Sequence, residues 1–340
     1  MSQLKKIAVV ILNWNGAGLL RQFLPAVIKY SPEAEIYVAD NASTDESVEV
    51  VKNEFPSIKI IKNKGNYGYA KGYNEALKQV DEPYYALVNS DIEVTQNWLK
   101  PVITIFENQS DIGIIQPKLM DFKRKDYFEY AGAAGGFIDK FGYPYCRGRI
   151  FDTLEKDLGQ YNKETDVFWA TGACFFIRKE VFRNLHGFDD DFFAHQEEID
   201  LCWRAFNLGY RAKYCPNSVV YHVGGATLNE ANPKKTYLNF RNSLLMLTKN
   251  LPKGTLFKRI FVRLCLDGIA GIQFMLQGKF KHTWAIIEAH FGFYKRLNTY
   301  LKKRGTSQKK DYYHSKSIVW SYFIMKRKTF TNIEKGFPTN

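Results

Sequence analysis

Short polar side chains follow three apolar runs within the first hundred residues of the 340-residue chain. They are Asn13 and Asn15, Asp40 and Asn41, and Asn89 and Asp91. Ligands of open α/β sheets bind at the carboxyl ends of the strands, so these side chains are candidates to line one crevice. Asn and Asp also favour turns wherever they occur. That alternative explains any single end, but three ends in succession indicate a polar ligand site.

Asp91 is the candidate ligand for a divalent cation, Mg²⁺ or Mn²⁺. Such a cation takes one or two carboxylates from the protein and completes its shell with water and substrate phosphates. His222 ends another short apolar run, just before Gly224 and Gly225. A lone histidine at such a place is more often structural than a ligand. With an acid such as Asp91 facing it, His222 becomes a second candidate metal ligand.

Three carboxylates in four residues, Glu197, Glu198 and Asp200, stand at the start of a predicted helix. They could simply complement the positive end of the helix dipole. The spacing places Glu197 and Asp200 on the face of Arg204, which predicts a structural Asp200–Arg204 pair. Glu198 points to another face and is the freest of the three to act as a general base.

Two common nucleotide sites are absent from the sequence. Gly16 and Gly18 follow the first apolar run, but Arg21 stands where a dinucleotide site needs its third glycine. There is no G-x-x-x-x-G-K-[ST] motif, so a P-loop is excluded as well. Five scattered cysteines without C-x-x-C spacing favour reduced thiols in the cytoplasm over a disulfide framework or a zinc site.

Apolar runs alternate with helix-like stretches over the first hundred residues. The predicted strands are Ile7–Leu12, Ile36–Ala39, Ile58–Ile61 and Tyr84–Val88, and the predicted helices are Leu19–Lys29, Ser47–Asn53 and Tyr69–Lys78. The alternation predicts an α/β fold with a mainly parallel, doubly wound sheet, and the continuous apolar runs indicate strands covered on both faces. Residues 120–165 are rich in glycine and aromatics and predict loops and irregular strands.

The positive charge of the chain is concentrated at its C-terminal end. Residues 251–340 carry 18 Lys and Arg against 4 Asp and Glu, within a formal net charge of +13 for the whole chain. Phe257–Leu276 and Phe280–Leu297 are apolar enough to lie in a membrane interface but too interrupted to cross it. A basic segment indicates an anionic partner, and no nucleic-acid reading motif is present. We therefore expect an anionic membrane surface and no nucleic acid; a helical cap and a homodimer contact are the alternatives.

Several blocks of the sequence together resemble the family 2 inverting glycosyltransferases, and closely resemble their bacterial rhamnosyltransferase-like branch. The resemblance covers about residues 5–250, with every block in the expected order. The blocks are VVILNWN at 9–15, VADNASTD at 38–45, NYGYAKGYN at 66–74, NSD at 89–91, TGA at 171–173, GFD at 187–189, EEIDLCWR at 197–204 and HVGG at 222–225.

The resemblance implies a GT-A fold and transfer of a sugar from a UDP- or dTDP-sugar donor to an acceptor hydroxyl, with inversion. Residues 1–120 would then bind the nucleotide sugar, and residues 121–250 would bind the acceptor and carry the catalytic acid. Residues 251–340 lie beyond the resemblance, and their charge and helical pattern predict a basic amphipathic helical extension. The acceptor would be a saccharide or a lipid-linked saccharide of a surface glycan. The enzyme would lie in the cytoplasm, peripherally on the inner face of the cell membrane. The alternative is a catalytically inactive nucleotide-sugar-binding scaffold.

The same resemblance assigns roles to individual residues. Asp40 matches the acid that accepts a hydrogen bond from N3–H of uracil or thymine. The full set implied to line the nucleotide is Asn13, Asn15, Asp40, Asn41, Asn66, Gly68, Lys71, Asn74 and Asn89. Asp91 matches the last acid of the D-x-D metal motif, in which Asn89 here replaces the first, and His222 matches a histidine on the metal or diphosphate. The implied catalytic acids are Glu198, as base, with Glu197 beside it, and the implied acceptor contacts are Trp169, Gly172 and Asp200.

Overall fold

The computed structural model of the chain describes residues 5–224 and 232–334. The strands are β1 Ile7–Asn13, β2 Ala34–Asp40, β3 Lys59–Lys62, β4 Tyr84–Asn89, β5 Ile92–Val94, β6 Ile112–Asp121, β7 Gly136–Ile138, β8 Pro144–Cys146, β9 Arg149–Ile150, β10 Thr153–Leu154, β11 Thr165–Val167, β12 Cys174–Arg178 and β13 Arg211–His222. The helices are α1 Ala17–Tyr30, α2 Ser47–Glu54, α3 Gly68–Ala76, α4 Lys100–Asn108, α5 Lys179–Asn184, α6 Glu197–Leu208, α7 Pro233–Asn250, α8 Leu256–Leu276, α9 Phe280–Lys302 and α10 Phe330–Glu334.

A nine-stranded sheet runs through the molecule in the order β11-β13-β6-β12-β4-β1-β2-β3, with β5 pairing to β13. The strands β3, β2, β1 and β4 are parallel, as the βα alternation predicts. β12 runs antiparallel between β4 and β6, and β5 and β11 run antiparallel to β13. β6 and β13 are parallel to each other. The sheet is therefore mixed: the expected parallel pairing holds for β3, β2, β1 and β4 and for β6 with β13, whereas β5, β11 and β12 are antiparallel to their neighbours. β12 is buried along its whole length, so its apolar sequence carries no mark of its direction.

The two faces of the sheet form two apolar cores. On β1, Ile7, Val9 and Ile11 pack with α1 and α4, whereas Ala8 and Val10 face α3 and the second half of the chain. Alternate side chains of a strand point to opposite faces, so a sheet covered on both sides needs an unbroken apolar run. This burial fixes the register of the strands and hence the positions of their polar carboxyl ends.

A second, four-stranded sheet, β7 to β10, lies in the region for which we expected loops and irregular strands. The C-terminal chain packs on it: His314 stacks on Phe330, and both rings contact Phe137. The buried carboxylate of Asp139 accepts the backbone N–H of Ile318 at 2.9 Å. The segment after α9 is therefore fastened to the domain by apolar and polar contacts.

The basic helices α8 and α9 form an antiparallel pair over α7. Their bounds agree closely with the two stretches predicted from the sequence. Arg259, Arg263 and Asp267 of α8 face inward and are buried, and Arg263 pairs with Asp267 at 2.9 Å. Among the described residues, no helix combines the length and the apolar character needed to cross a membrane.

Candidate functional site

Asp40 lies at the carboxyl end of β2, beside Asn13 at the end of β1. Its carboxylate accepts the backbone N–H of Ser43 at 3.1 Å and the side-chain amide of Asn13 at 3.4 Å. Asn13 also donates to the Ser43 hydroxyl at 3.2 Å. Asp40 is buried, so these donors hold the carboxylate in one orientation at the edge of the sheet.

Asn15 shapes the loop between β1 and α1. Its backbone is left-handed, with φ of 52°, and its side-chain oxygen accepts the N–H of Thr44 at 2.7 Å. Its own N–H donates to the hydroxyl of Ser43 at 2.9 Å. The loop after β1 is thus tied to the loop after β2, and Trp14 between the two asparagines is half exposed.

Asn41 is a buried hub of hydrogen bonds beneath the predicted nucleotide-lining segment. Its amide donates to the side-chain oxygen of Asn66 at 3.2 Å and to the carbonyl of Gly68 at 3.0 Å. Its oxygen accepts from Asn63 at 3.1 Å and from the N–H of Tyr67 at 3.3 Å. With all its polar groups used, Asn41 supports the 66–68 turn from below.

The N-terminal half of α3 meets the loop that precedes α6. Gly68 has φ of 69°, and a Cβ there would lie 2.6 Å from the carbonyl oxygen of Phe193, so no larger residue fits. Lys71 places its ammonium over the ring of Tyr67, 4.5 Å from the centroid. Asn74 exchanges hydrogen bonds with the backbone of Phe188, at 2.9 Å in each direction. Gly68 and Asn74 therefore join the two halves of the domain.

Asp91 and His222, expected as metal ligands, lie together with a third carboxylate. His222 Nε2 is 3.2 Å from Asp91 Oδ1, and His222 Nδ1 is 3.0 Å from Glu129 Oε1. All three side chains are more than nine-tenths buried. Burial opposes the charge on the imidazole, but Glu129 and Asp91 outweigh it and raise the pKa of His222 to about 10. No sequence motif points to Glu129.

This arrangement suits an open site for a hard cation. Within residues 5–224 and 232–334 no three acidic, histidine or cysteine side chains converge into a metal cage. Mg²⁺ and Mn²⁺ sites that also bind substrate phosphates need no such cage, because one or two protein ligands suffice. Asp91 can supply one ligand directly. His222 can supply a second once a bound cation displaces the proton from Nε2, with Glu129 3.0 Å from the other ring nitrogen.

Glu198 and Glu197 begin α6, and both carboxylates are shielded from water. Burial raises the pKa of Glu198 to about 7, against the N–H groups of Glu198 itself, Gly172 and Ile199, which lower it. Burial, and then the neighbouring Glu198, raise the pKa of Glu197 well above its usual value. Glu198 is partly exposed as a residue, yet its Oε2 is buried and has no hydrogen-bond partner in the described part of the chain. It can therefore accept a proton from an incoming group.

The segment 171–173 connects the predicted metal acid to the predicted base. Ala173 accepts the backbone N–H of Asn89, two residues before Asp91, at 2.9 Å. Gly172 provides an N–H to the Glu198 carboxylate, and its carbonyl accepts the Tyr69 hydroxyl at 2.7 Å. Asn89 is the last residue of β4, which pairs with β1, and the end of β1 carries the Asn13–Asp40 contact. A continuous series of contacts thus runs from Asp40 to Glu198 along one edge of the sheet.

Two of the expected acceptor contacts are wrong as direct contacts. Asp200 is fully buried and pairs with Arg204 and Lys249, each at 2.8 Å. The predicted Asp200–Arg204 pair is thereby confirmed, and it uses the carboxylate for structure. Trp169 is buried against Gly136 and donates its indole N–H to a backbone carbonyl at 2.9 Å. Of the three expected acceptor residues, only Gly172 lies beside the candidate base.

Three residues near these groups carry no role in the sequence-based expectations. Glu129 lies in a stretch of glycines and aromatics that has no periodicity, so only the fold brings it to His222. Tyr69 stands inside the NYGYAKGYN block but resembles an ordinary apolar helix residue. Phe193 has a left-handed backbone, φ 64°, that its residue type does not announce.

The chain was compared with known proteins. The family model described as "Glycosyl transferase family 2" matches residues 8–185, just over half of the chain. The N-acetylglucosaminyl-diphospho-decaprenol L-rhamnosyltransferase of Mycobacterium tuberculosis is 22% identical over 235 residues, covering 64% of this chain and 75% of that protein. The low-salt glycan biosynthesis hexosyltransferase Agl10 of Haloferax volcanii is 22% identical over 251 residues, covering 72% of this chain and 76% of that protein.

Solved structures share the fold. S. aureus TarS in complex with UDP-GlcNAc aligns with a TM-score of 0.58 at 15% identity, covering 88% of this chain and 84% of that one. GalNAc-T7 with UDP, GalNAc and Mn²⁺ aligns with a TM-score of 0.59 at 17% identity, covering 74% of this chain but only 49% of that one. These likenesses confirm the expected GT-A architecture, and together with the family match they show that the chain is a glycosyltransferase belonging to glycosyl transferase family 2.

Proposed function

We propose that the chain transfers a sugar from a UDP- or dTDP-sugar to a hydroxyl of a saccharide acceptor, with inversion and with Glu198 as the general base. The observation that carries this proposal is the position of Glu198. Its buried Oε2 has no hydrogen-bond partner among the described residues, and the N–H of Gly172, in the segment that also contacts the strand end before Asp91, lowers its pKa. The proposed base and the end of β4 before Asp91, where the donor phosphates would bind, are therefore held on the same edge of the sheet.

The protonation chemistry of Glu198 suits the reaction. An acceptor hydroxyl is a poor nucleophile at neutral pH, so a carboxylate must take its proton as the new bond forms. A base is most effective when its pKa lies near the working pH, and the pKa of Glu198 is about 7. Glu197, with its pKa well above the usual value, stays neutral beside it and leaves Glu198 to ionise.

The nucleotide end of the donor would lie over the ends of β1 and β2. Asp40, fixed by Asn13 and Ser43, is an acceptor for N3–H, which uracil and thymine both carry. This pairing distinguishes UDP and dTDP from a cytidine nucleotide, whose N3 has no proton. Asn41 donates a hydrogen bond to Asn66 and so supports the 66–68 turn, which would lie beside the uracil or thymine ring.

Asp91 and His222 would hold the divalent cation and orient the diphosphate against it. Mg²⁺ or Mn²⁺, when bound there, neutralises the charge that accumulates on the departing phosphate oxygens. Solved relatives of this fold contain Mn²⁺ with a nucleotide or a nucleotide sugar, which supports a divalent cation here. Glu129 fixes the ring of His222, so that Nε2 faces Asp91.

The acceptor that we propose is a lipid-linked saccharide of a surface glycan. Its support is the name of the mycobacterial relative, which acts on an N-acetylglucosaminyl-diphospho-decaprenol. The same relative, with the rhamnosyltransferase-like blocks, favours a deoxyhexose donor such as dTDP-rhamnose.

The outer face of the α8–α9 pair supports attachment to an anionic membrane on its cytoplasmic side. Its exposed large apolar side chains are Phe257, Phe261, Ile269, Ile272, Met275, Leu276, Phe280, Trp284, Ile287, Phe291 and Tyr294. The inner face of α8 is already covered by the domain, as the burial of Arg263 and Asp267 shows. A helical cap therefore accounts for one face only. Apolar side chains rimmed by lysines match an interfacial helix pair, and each basic residue near an anionic surface contributes about 1 kcal/mol.

The test is a panel of UDP- and dTDP-sugars scored for release of the nucleoside diphosphate with and without Mn²⁺. Metal-dependent release that disappears in Glu198→Gln supports the proposal. Glu180→Gln, an exposed acid of the short helix α5, is the matched control and should retain full activity. Binding of UDP and Mn²⁺ without any release, from any donor of the panel, would favour the inactive scaffold instead.

A further inference from the structure

The segment 191–196, which leads into α6 and its two catalytic acids, has a strained backbone. Phe193, His195 and Gln196 have φ of 64°, 70° and 72°. Side chains of these types rarely adopt a left-handed conformation, because Cβ then crowds the backbone. Three such residues among four are stable only where many surrounding contacts hold the backbone in that conformation.

Two adjacent side chains of α7 hold this segment from below. The amide nitrogen of Asn242 lies 3.0 Å from the carbonyl oxygen of Phe192, 2.9 Å from that of Ala194 and 2.8 Å from that of His195. The guanidinium of Arg241 contacts the carbonyl of Asp191 at 3.1 Å. Asn242 is completely buried.

Arg241 also orients Asn242. Its Nε and one terminal nitrogen lie 2.9 and 2.7 Å from the side-chain oxygen of Asn242. Because a charged donor occupies the oxygen, the amide nitrogen must face the carbonyls. Arg241 therefore fixes the orientation of the Asn242 amide, so that its nitrogen and not its oxygen faces the carbonyls of the segment.

The remaining carbonyls of the segment are bonded to the two flanking helices. The carbonyl of Phe193 accepts the N–H of Tyr69 at the start of α3, at 2.8 Å. The carbonyl of Gln196 accepts the N–H of Asp200 in α6, at 2.9 Å. Every carbonyl from residue 191 to residue 196 thus has a donor, although the segment belongs to no sheet or long helix.

We propose that Asn242, oriented by Arg241, is a positioning residue for the transfer reaction: it holds the strained 191–196 segment and thereby fixes Glu198 against the Gly172 N–H. The inference rests on the proposed role of Glu198 as base. Neither side chain reaches the crevice, so the effect is transmitted through the backbone that enters α6. A displacement of about 1 Å in a reacting group can reduce a rate about a hundredfold, so a small relaxation of this segment is enough to matter.

The experiment compares full-length Asn242→Asp and Asn242→Ser with the native chain. Asn242→Asp keeps the shape but removes the N–H donors, and Asn242→Ser removes the reach to the carbonyls without adding charge. Ser243→Ala is the matched control, because Ser243 is the next buried residue of α7 and its hydroxyl has no hydrogen-bond partner among the described residues. Hydrogen exchange of the peptide covering residues 191–198 is measured beside kcat, KM for the donor, and the pH dependence of kcat.

Both Asn242 variants should speed exchange in that peptide by about tenfold or more and lower kcat by about a hundredfold, while KM for the donor changes less than about threefold. The acid limb of kcat should move to lower pH, because a looser segment admits water to the Glu198 carboxylate, and water stabilises its charged form. Ser243→Ala should match the native chain in every reading. A loss of kcat in proportion to the folded fraction, with the acid limb unmoved, would assign Asn242 to stability alone and overturn the inference.

Failure of the two proposals can be told apart. If the native chain turns over no donor, the proposed function fails, and hydrogen exchange still decides whether Asn242 holds the segment. If the native chain is active and the variants exchange faster but keep their kcat, the proposed function stands and the positioning role is refuted. Unchanged exchange in both variants refutes it as well.

Discussion

Replacing Glu198 with Gln should have opposite effects on activity and on stability, both set by the raised pKa of this carboxyl. Burial raises that pKa to about 7 from the usual 4.5. The difference corresponds to about 3 kcal/mol by which folding disfavours the ionised form. Below about pH 4.5 the carboxyl is protonated in both the folded and the unfolded chain, and this term is absent. Between about pH 4.5 and 7 the unfolded chain ionises while the folded chain stays protonated, so the folded chain becomes progressively less stable. Above about pH 7 both forms are ionised and the loss levels off.

Glu198→Gln removes the charge and should therefore gain stability relative to the native chain as pH rises. We expect the difference in the free energy of unfolding, measured by denaturant titration, to grow by up to about 3 kcal/mol between pH 4.5 and pH 8. Over the same range the native rate should rise as the base ionises, from about a tenth of its plateau at pH 6 to about nine tenths at pH 8. The Gln variant should show no such limb.

The two measurements refute the reasoning independently. A stability difference that does not change with pH would mean that Glu198 ionises as it does in water and that burial does not perturb it. A native rate already constant at pH 5 would mean that the group limiting the reaction is not Glu198. Glu180→Gln should change neither curve, because its carboxyl is exposed.

Three further predictions concern the other charged groups. Glu129→Gln should weaken Mn²⁺ binding about 10- to 100-fold, because the neutral amide is a weaker acceptor for Nδ1–H of His222 than the carboxylate that it replaces. Titration followed by electron paramagnetic resonance measures this, and an unchanged affinity would exclude His222 as a ligand oriented by Glu129. Asp40→Asn should weaken UDP binding about tenfold and improve CDP binding, because the amide can donate to the unprotonated N3 of cytosine; calorimetry that finds both affinities unaltered would place the base elsewhere. Lys249→Met should destabilise the fold by about 3–5 kcal/mol, because the ammonium lies between the buried carboxylates of Asp189 and Asp200, 2.7 and 2.8 Å away; chemical denaturation checks this, and a loss below about 1 kcal/mol would show that the two acids find other partners.

The parts of the site that the sequence predicts are those encoded by local pattern. Apolar runs that end in Asn and Asp fix which residues reach the edge of the sheet, since β1, β2 and β4 are parallel neighbours. A four-residue spacing sufficed for the Asp200–Arg204 pair. The long basic helices follow from their helical periodicity, and their predicted bounds lie close to Leu256–Leu276 and Phe280–Lys302.

Features that depend on distant contacts escaped prediction. Ser43 and Glu46 match a capping box, but α2 begins at Ser47 and its first N–H is bound by the carboxylate of Asp45 at 3.0 Å. Ser43 is engaged instead by Asn13 and by the N–H of Asn15. The hydrogen bonds of Ser43 to the loop after β1 thus replace the local capping box, which would have contributed a similar free energy. Glu129 and the antiparallel direction of β12 likewise depend on how the chain returns to the sheet.

The basic extension contacts the segment that leads to Glu198, the proposed base. Lys303, in the turn after α9, binds Asp189 and Asp191 at 2.7 and 2.8 Å, at the start of the segment that Asn242 holds. Arg304 donates to carbonyls at the C-terminal end of α7. Deleting the chain after residue 250 would therefore remove supports of Glu198 as well as the exposed apolar face. A loss of activity in such a truncation could not be attributed to a loss of membrane binding.

Substitutions on the outer face avoid this difficulty. Phe261 and Trp284 are each more than three-fifths exposed and lie on the α8–α9 face turned away from the domain. Replacing both with Ser should weaken sedimentation with anionic phosphatidylserine liposomes about tenfold or more, since each side chain loses about 1.5–3 kcal/mol of apolar burial in the interface. Release of a nucleoside diphosphate from a water-soluble donor should stay at the native rate, because neither residue supports the 191–196 segment. Unchanged sedimentation with liposomes would mean that the face is covered in another way, as in a dimer. A molecular mass by sedimentation equilibrium that is dimeric for the native chain and monomeric for the variant would identify a dimer contact as that cover.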